Sequence, residues 1–104
     1  MTSVMMCDDQ VMITSAILKQ LESIPSLLIL GGVSSGEECI QKLKEGQIPN
    51  ILILDISMPN GINGYDVALY VKKNHPEIKI LILSMLTNKD VVIAMIRLGV
   101  KGFL

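Results

Sequence analysis

The sequence predicts an α/β domain built on an open parallel sheet of five strands. Three observations indicate this fold: short apolar runs recur along the chain, segments with helical spacing separate them, and glycine or capping residues mark the boundaries. The apolar runs are continuous rather than alternating, which is typical of parallel strands covered by helices on both faces. No linker or repeat interrupts this alternation, so we expect one domain spanning residues 1–104.

The strands are predicted from four apolar runs and the start of a fifth. In chain order they are Val4–Cys7, Leu27–Leu30, Ile51–Leu54, Ile78–Leu83 and Gly102–Leu104. Each run has the length of a strand and is too short for a helix, so the runs are assigned to the sheet.

The helices are predicted from apolar residues that recur every three or four positions, and each stripe is expected to face the sheet. The stripes are Ile13, Ile17, Leu21 and Ile24; Cys39, Ile40 and Leu43; Val67, Ala68 and Val71; and Val91, Ala94, Met95 and Leu98. Ser35 with Glu38 has the spacing of a capping box, and Thr87 with Asp90 has the same spacing with aspartate in place of glutamate. The residues expected to stop the second, third and fourth helices are Gly46, Pro76 and Gly99.

Composition excludes several classes of protein. Half of the residues are hydrophobic and 18% are charged, which is not the composition of a disordered chain. The net charge of −1 gives no sign of a nucleic-acid footprint, so we expect no direct nucleic-acid binding by this chain. The apolar runs are shorter than a membrane helix and no signal peptide precedes them, so we expect no membrane span and a cytoplasmic location. Cys7 and Cys39 fit no metal spacing and are expected to be reduced thiols.

Polar side chains stand where three of the predicted strands end. Asp8 and Asp9 follow the first strand, Asp55 ends the third, and Ser84 ends the fourth. In a flavodoxin-like sheet of order 2-1-3-4-5 the first and third strands are neighbours, and ligands bind at the carboxyl ends of the strands. We therefore expect three carboxylates to converge at one edge of the sheet, with a hydroxyl beside them.

Three carboxylates at one edge require a cation, because two unit charges about 4 Å apart repel by roughly 4 kcal/mol at an effective dielectric constant near 20. Oxygen-only ligands in a small open site favour Mg²⁺, which keeps some of its waters and readily accepts a phosphate oxygen. The arrangement suits phosphoryl transfer to a carboxylate: one aspartate attacks in line, and the Ser84 hydroxyl contacts an oxygen of the phosphoryl group.

Other interpretations of these residues remain open. Taken alone, Asp8 and Asp9 are typical helix caps, and Asp55 is a typical turn residue or cap. A metal-dependent phosphatase acting on small phosphoesters would use the same acidic edge. Such enzymes usually carry a second aspartate two residues after the nucleophile, however, and Ser57 stands there.

Four motifs together resemble the receiver domain of bacterial two-component response regulators, over essentially the whole chain. They are Asp8-Asp9 after the first strand, LDISMP after the third, ILILSM ending the fourth, and LGVKGFL entering the fifth. The segment ILILSM, preceded by KNHPEIK, is most similar to the branch of the family that carries a C-terminal helix-turn-helix of the LuxR/NarL type. The resemblance implies a CheY-like fold and a cytoplasmic signalling role.

The resemblance also implies a role for each site residue. Asp55 is the phosphoacceptor, which takes a phosphoryl group from a sensor histidine kinase in a Mg²⁺-dependent reaction. The implied Mg²⁺ ligands are Asp8 (largely through water), Asp9, Asp55 and the carbonyl of Ser57. The implied switch residues are Ser84 and Phe103. Such a domain is not an enzyme in the usual sense, although it assists its own phosphorylation and dephosphorylation, and it switches an output such as transcription through a DNA-binding domain outside this chain.

Members of this family carry a lysine after the fifth strand and then a fifth helix. The sequence given ends at Leu104, before both, so no catalytic lysine is assigned in this chain, and Lys101 is expected to be a solvated loop charge. We therefore expect a receiver domain that is incomplete at its C-terminus. The alternative is a pseudo-receiver that is not phosphorylated and acts as a protein-interaction module.

A missing fifth helix would leave part of the sheet uncovered. Apolar residues of the first, third and fifth strands, including Val4, Ile53 and Phe103, are then expected to form an exposed patch. We expect the chain to associate into a dimer or higher oligomer through this face.

Overall fold

The computed structural model describes residues 1–56, 63–83 and 89–103. Strands and helices alternate in these ranges as β1 (Thr2–Cys7), α1 (Val11–Leu21), β2 (Leu27–Val33), α2 (Gly36–Lys44), β3 (Ile51–Asp55), α3 (Gly64–Asn74), β4 (Lys79–Leu83), α4 (Lys89–Leu98) and β5 (Gly102–Phe103). The strands form one parallel sheet in the order β2-β1-β3-β4-β5. The predicted α/β class and the order of the first four strands are confirmed, and β5 adds two residues beside β4.

Strand β2 is longer than predicted. The apolar run ends at Leu30, but Gly31 and Gly32 continue the strand because they pair with Met5 and Met6 of β1. The register shifts within this pairing, and Gly31 has a φ of +117°, a conformation that glycine adopts without a steric penalty.

Side chains on the two faces of the sheet form two apolar clusters, because successive residues of a strand point to opposite faces. On one face, Val4, Met6 and Ile53 pack against α1. On the other face, a larger cluster joins the strands to α2, α3 and α4. Its helix residues are Cys39, Leu43, Val67, Ala68, Val71 and Met95, all buried. The predicted stripes of these three helices are confirmed at these positions.

The predicted stripe of helix α1 is confirmed at Ile17 and Leu21, which are partly buried and pack against the sheet, and is wrong at its two ends. Ile13 is 41% exposed, and Ile24 lies beyond the end of the helix and is also 41% exposed. The inward face instead carries Thr14, which is buried, followed by partly buried apolar residues at helical spacing. Helix α1 crosses β2 closely at this point: a Cβ on Gly32 would lie 2.5 Å from Cγ2 of Thr14. A search for apolar residues alone passes over such a position.

Two expectations about exposed apolar surface are wrong. Val4 and Ile53 are 2% and 5% exposed, because α1 covers them, so neither contributes to an open patch. Burial of β2 on both faces also fails, since Leu28 and Leu30 on this edge strand are exposed. The side chain of Phe103 lies outside the described part of the structure, and a fifth helix would lie outside it too. Self-association of the chain therefore stays a prediction.

The helix boundaries follow the predicted signals where they are described. The Ser35 side chain accepts a hydrogen bond of 3.1 Å from the backbone N–H of Glu38, which confirms a cap at the start of α2. Gly46 and Gly99 follow α2 and α4 with φ values of +94° and +98°. Helix α3 ends before Pro76, as predicted, whereas Thr87 lies outside the described residues.

Across residues 1–56, 63–83 and 89–103, every helix is too short or too polar to cross a membrane.

Candidate functional site

The acidic site lies where β1 and β3 end side by side. Cys7, the last residue of β1, pairs with Leu54 of β3, so the next residues on the two strands, Asp8 and Asp55, are brought together. Carboxylate oxygens of Asp8, Asp9 and Asp55 all lie within 4.8 Å of one another. The predicted convergence of three carboxylates from distant parts of the sequence is confirmed.

The three carboxylates differ in their exposure to solvent. Asp8 and Asp55 are only 2% and 7% exposed, whereas Asp9 is an exposed residue at the edge of the group. The pKa of Asp8 is raised from 3.8 to about 6, and burial is the largest cause. A hydrogen bond from the Gln10 backbone lowers the pKa in part, whereas a hydrogen bond with Asp55 and the negative charges of Asp55 and Asp9 contribute to the rise. The site therefore resists holding all of its negative charge without a cation.

A local hydrogen bond fixes the position of the Asp8 side chain. Its Oδ1 accepts the backbone N–H of Gln10 at 2.9 Å. Gln10 is the N-cap of α1, and no side chain caps that helix. Asp8 therefore does not serve as the helix cap that its sequence context allows, and its side chain also forms a hydrogen bond with Asp55. Sequence reasoning missed the Gln10 contact, because a backbone donor has no sequence signature.

Gly64 supports the backbone behind Asp55. It is the first residue of α3, and a Cβ at this position would collide with the Asp55 carbonyl oxygen and the Ile56 Cα. The Asn63 side chain caps the helix by accepting the backbone N–H of Asp66 at 2.9 Å. The start of α3 thus closes against the end of β3, and only glycine allows this approach.

The carboxylates suit a hard divalent cation. In the described part of the chain, Asp8, Asp9 and Asp55 are the one group of three or more carboxylate, thiol or imidazole side chains close enough to share a metal ion. All three offer oxygen, the ligand that Mg²⁺ prefers, and one of them is exposed, which leaves an open side for water or substrate. A bound cation would also relieve the repulsion that raises the Asp8 pKa.

Two thiols lie below this site. Cys7 and Cys39 are fully buried and form no disulfide, which agrees with the predicted reduced state. The Cys7 thiol also contacts the Ser35 carbonyl oxygen at 3.5 Å. A hydrogen bond with Cys39, together with burial, raises the Cys7 pKa far above its usual range, so this thiol stays protonated. The pair therefore packs as apolar side chains between β1 and α2.

Three predicted site residues lie wholly or partly outside the described structure. Ser57 and Ser84 fall in the undescribed ranges. Phe103 is placed in β5 by its backbone, but the prediction concerns its side chain, which lies outside the description. The structure therefore brings together the carboxylates and leaves the predicted hydroxyl, carbonyl and aromatic positions untested.

Two bacterial regulatory proteins match the chain along nearly its whole length. It is 27% identical over 104 residues to the response regulator GacA of Pseudomonas syringae pv. syringae, covering 100% of this chain and 48% of GacA. It is 30% identical over 101 residues to the oxygen regulatory protein NreC of Staphylococcus epidermidis, covering 97% of this chain and 46% of NreC. The chain thus spans about half the length of these relatives.

Solved structures of response regulators also match the chain along nearly its whole length. The isolated receiver domain of RcsB from Salmonella enterica serovar Typhimurium, determined in the presence of the phosphomimetic BeF3⁻, matches with a TM-score of 0.89 and 27% identity. The match covers 99% of this chain and 75% of that one. A DNA-binding response regulator of the LuxR family from Staphylococcus aureus matches with a TM-score of 0.89 and 26% identity, covering 100% of this chain and 85% of that one.

A family model described as the response regulator receiver domain matches residues 4–104. This match includes most of β1 with its two following aspartates, and β3 with Asp55. The chain belongs to the response regulator receiver domain family.

Proposed function

We propose that this domain accepts a phosphoryl group on Asp55 from a sensor histidine kinase, in a reaction that depends on Mg²⁺. The observation that carries the proposal is the convergence of three carboxylates within 4.8 Å at the carboxyl ends of β1 and β3. Family membership adds the phosphodonor class, and RcsB, a structural relative, was determined with a phosphomimetic.

Asp55 is the nucleophile. One of its carboxylate oxygens attacks the phosphorus of the phosphohistidine, a P–O bond forms as the P–N bond breaks, and the leaving imidazole nitrogen regains a proton. Asp55 is 7% exposed, and Gly64 supports its backbone from behind, so its carboxylate is held in place before the reaction. Asp8 and Asp9 stay unphosphorylated because their role is to bind the cation.

Asp8, Asp9 and Asp55 would hold Mg²⁺, together with the carbonyl of Ser57. When bound, the ion supplies positive charge that neutralises the charge developing on the phosphoryl oxygens. Asp8 is kept in position by the Gln10 backbone N–H, which its Oδ1 accepts at 2.9 Å. The Ser84 hydroxyl and Phe103 are proposed as the switch residues that respond to the phosphoryl group.

Phosphorylation would switch an output carried by another part of a longer protein. The chain covers less than half of GacA and NreC, and other structural relatives are DNA-bound regulators. We propose regulation of transcription through a LuxR/NarL-type DNA-binding domain, in the cytoplasm, with no direct DNA contact by this domain. In this role the domain is a phosphoacceptor that assists its own phosphorylation and dephosphorylation.

Intact-mass measurement after treatment with acetyl phosphate tests the proposal. With Mg²⁺ the chain should gain one phosphoryl group, and chelation of Mg²⁺ should prevent the gain. Asp55→Asn, which keeps size and shape, should remove it, whereas Asp66→Asn on α3 should not. A chain that binds Mg²⁺ but never gains the mass would instead support the pseudo-receiver that acts only as an interaction module.

A further inference from the structure

Strand β2 forms one edge of the sheet and leaves apolar side chains in solvent. The strand is seven residues long, and within the described part of the chain it pairs with β1 alone. Leu28 and Leu30, two positions apart and therefore on the same face of the strand, are 47% and 36% exposed. An exposed apolar edge of this length is a template for pairing with a further strand.

The backbone of β2 offers hydrogen-bonding groups on its outer side. The Ser26 carbonyl oxygen accepts the Thr2 N–H at 3.0 Å, so the backbone groups of Ser26 face β1. Backbone groups alternate in direction along a strand, so those of Leu28 also face β1, whereas Ile29 directs its N–H and its C=O away from the sheet. A donor and an acceptor on one residue thus stand in the middle of the edge.

This edge carries little of the protection that edge strands usually have. Natural proteins prevent strand pairing at an edge with charged side chains, prolines or bulges. Residues 23–36 contain no Asp, Glu, Lys, Arg or His. Pro25 lies before the strand, and the pairing with β1 shifts its register between Ile29 and Gly31. No charge therefore repels an approaching strand, and the register shift limits regular pairing to residues 27–30.

The strand that fits this edge is a second copy of β2. Leu28, Ile29 and Leu30 read the same in both directions around Ile29. An antiparallel copy with Ile29 opposite Ile29 therefore places each exposed leucine opposite a leucine, on the same face, where cross-strand side chains are in contact. A two-fold axis requires this kind of surface, because the same patch must complement itself.

We propose that two copies of this chain pair antiparallel through β2, around a two-fold axis at Ile29. The Ile29 N–H of each copy donates to the Ile29 carbonyl oxygen of the other. Leu28 packs against Leu30 of the second copy, and the two five-stranded sheets become one. Two hydrogen bonds and a few apolar side chains make a small interface, so the dimer is weak and reversible.

This surface is separate from the two others discussed above. The acidic site lies at the ends of β1 and β3, so pairing through β2 needs neither Mg²⁺ nor a phosphoryl group. The edge also differs from the face predicted from the absence of a fifth helix, whose residues Val4 and Ile53 are buried. Pairing occupies the β2 edge of both copies, so the assembly stops at two.

Sedimentation velocity on the chain, without Mg²⁺ and without a phosphodonor, tests the proposal over roughly 10 µM to 1 mM protein. We expect a reversible monomer–dimer equilibrium. Over the same range, amide hydrogen exchange should show protection of the Ile29 N–H that grows with concentration, and a smaller change at Leu28, whose N–H already bonds to β1. A monomer throughout, or aggregates that grow without limit, would overturn the proposal and leave the edge to a strand of another protein or to non-specific association.

Paired variants test the register. Leu28→Lys with Leu30→Lys places lysines opposite lysines and should weaken dimerisation at least tenfold, whereas Leu28→Lys with Leu30→Glu places opposite charges together and should weaken it much less. Leu69→Lys is the matched control, because this leucine is 42% exposed on α3, away from the edge, and dimerisation should not change. Melting temperatures show that each variant is folded. Dimerisation that survives two lysines, or is lost equally in both double variants, would overturn the antiparallel pairing.

Discussion

Asp8→Asn should stabilise the chain at neutral pH when Mg²⁺ is absent. The rise of the Asp8 pKa from 3.8 to about 6 corresponds to about 3 kcal/mol, at about 1.36 kcal/mol per pH unit. Salt and solvent at the open side of the site screen part of this energy, so we expect a gain of about 1 to 3 kcal/mol in the free energy of unfolding. The amide oxygen of the replacement can still accept the Gln10 N–H, so the local backbone is kept.

The pH dependence has a definite sign. The folded-state pKa of Asp8 is raised, so its contribution favours the folded state below pH 3.8 and is lost as the pH rises through about 6. The difference in stability between Asp8→Asn and the parent chain should therefore be small near pH 4 and largest at pH 7. Urea denaturation followed by circular dichroism, at several pH values and with a chelator present, measures this difference.

Asp9→Asn is the matched control, because Asp9 is exposed and its replacement should change stability by less than about 0.5 kcal/mol. Our account of the site would be refuted by an Asp8→Asn chain that is less stable than the parent at pH 7, or by a stability difference that does not change with pH.

Three further predictions concern the same end of the sheet. Millimolar Mg²⁺ should raise the melting temperature of the parent chain, because it binds the folded state only, and Asp9→Ala should reduce that rise; indifference of the parent chain to Mg²⁺ would count against a metal site. Gly64→Ala should destabilise the chain by about 1 to 3 kcal/mol and slow phosphorylation, because the Cβ of the alanine would collide with the Asp55 backbone. Gly46→Asn is the control. Gly46 has a φ of +94°, which asparagine tolerates, so this substitution should have a smaller effect on stability and leave phosphorylation unchanged. Ser35→Ala should lower the free energy of unfolding by about 1 kcal/mol, measured by denaturation. Ser35→Asp keeps a capping oxygen and should not lower it.

The sequence predicted those features that depend on repeated patterns. The α/β class followed from alternating apolar runs and helical stripes. The meeting of Asp8 with Asp55 followed from the strand order of a flavodoxin-like sheet, because parallel strands end at the same edge of a sheet. The caps at Ser35 and Gly46 were predictable for a similar reason, since each depends on local chemistry alone.

Features set by close packing between distant residues could not be predicted in this way. Thr14 is buried against Gly32, whereas Ile13 is exposed, and no pattern within α1 contains the information that β2 carries a glycine at this contact. Burial of Val4 and Ile53 depends on how α1 lies across β1 and β3. The Asp8 contact with Gln10 involves a backbone donor that any residue would provide.

The central claim is that Asp55 itself carries the phosphoryl group, and the site of modification tests it most directly. Treatment with acetyl phosphate and Mg²⁺, followed by borohydride reduction and peptide sequencing by mass spectrometry, converts a phosphorylated aspartate to homoserine and identifies its position. We predict homoserine at position 55 alone, with none in a sample in which Mg²⁺ was chelated. Homoserine at position 8 or 9, or none at any position in a chain that binds Mg²⁺, would contradict the assignment.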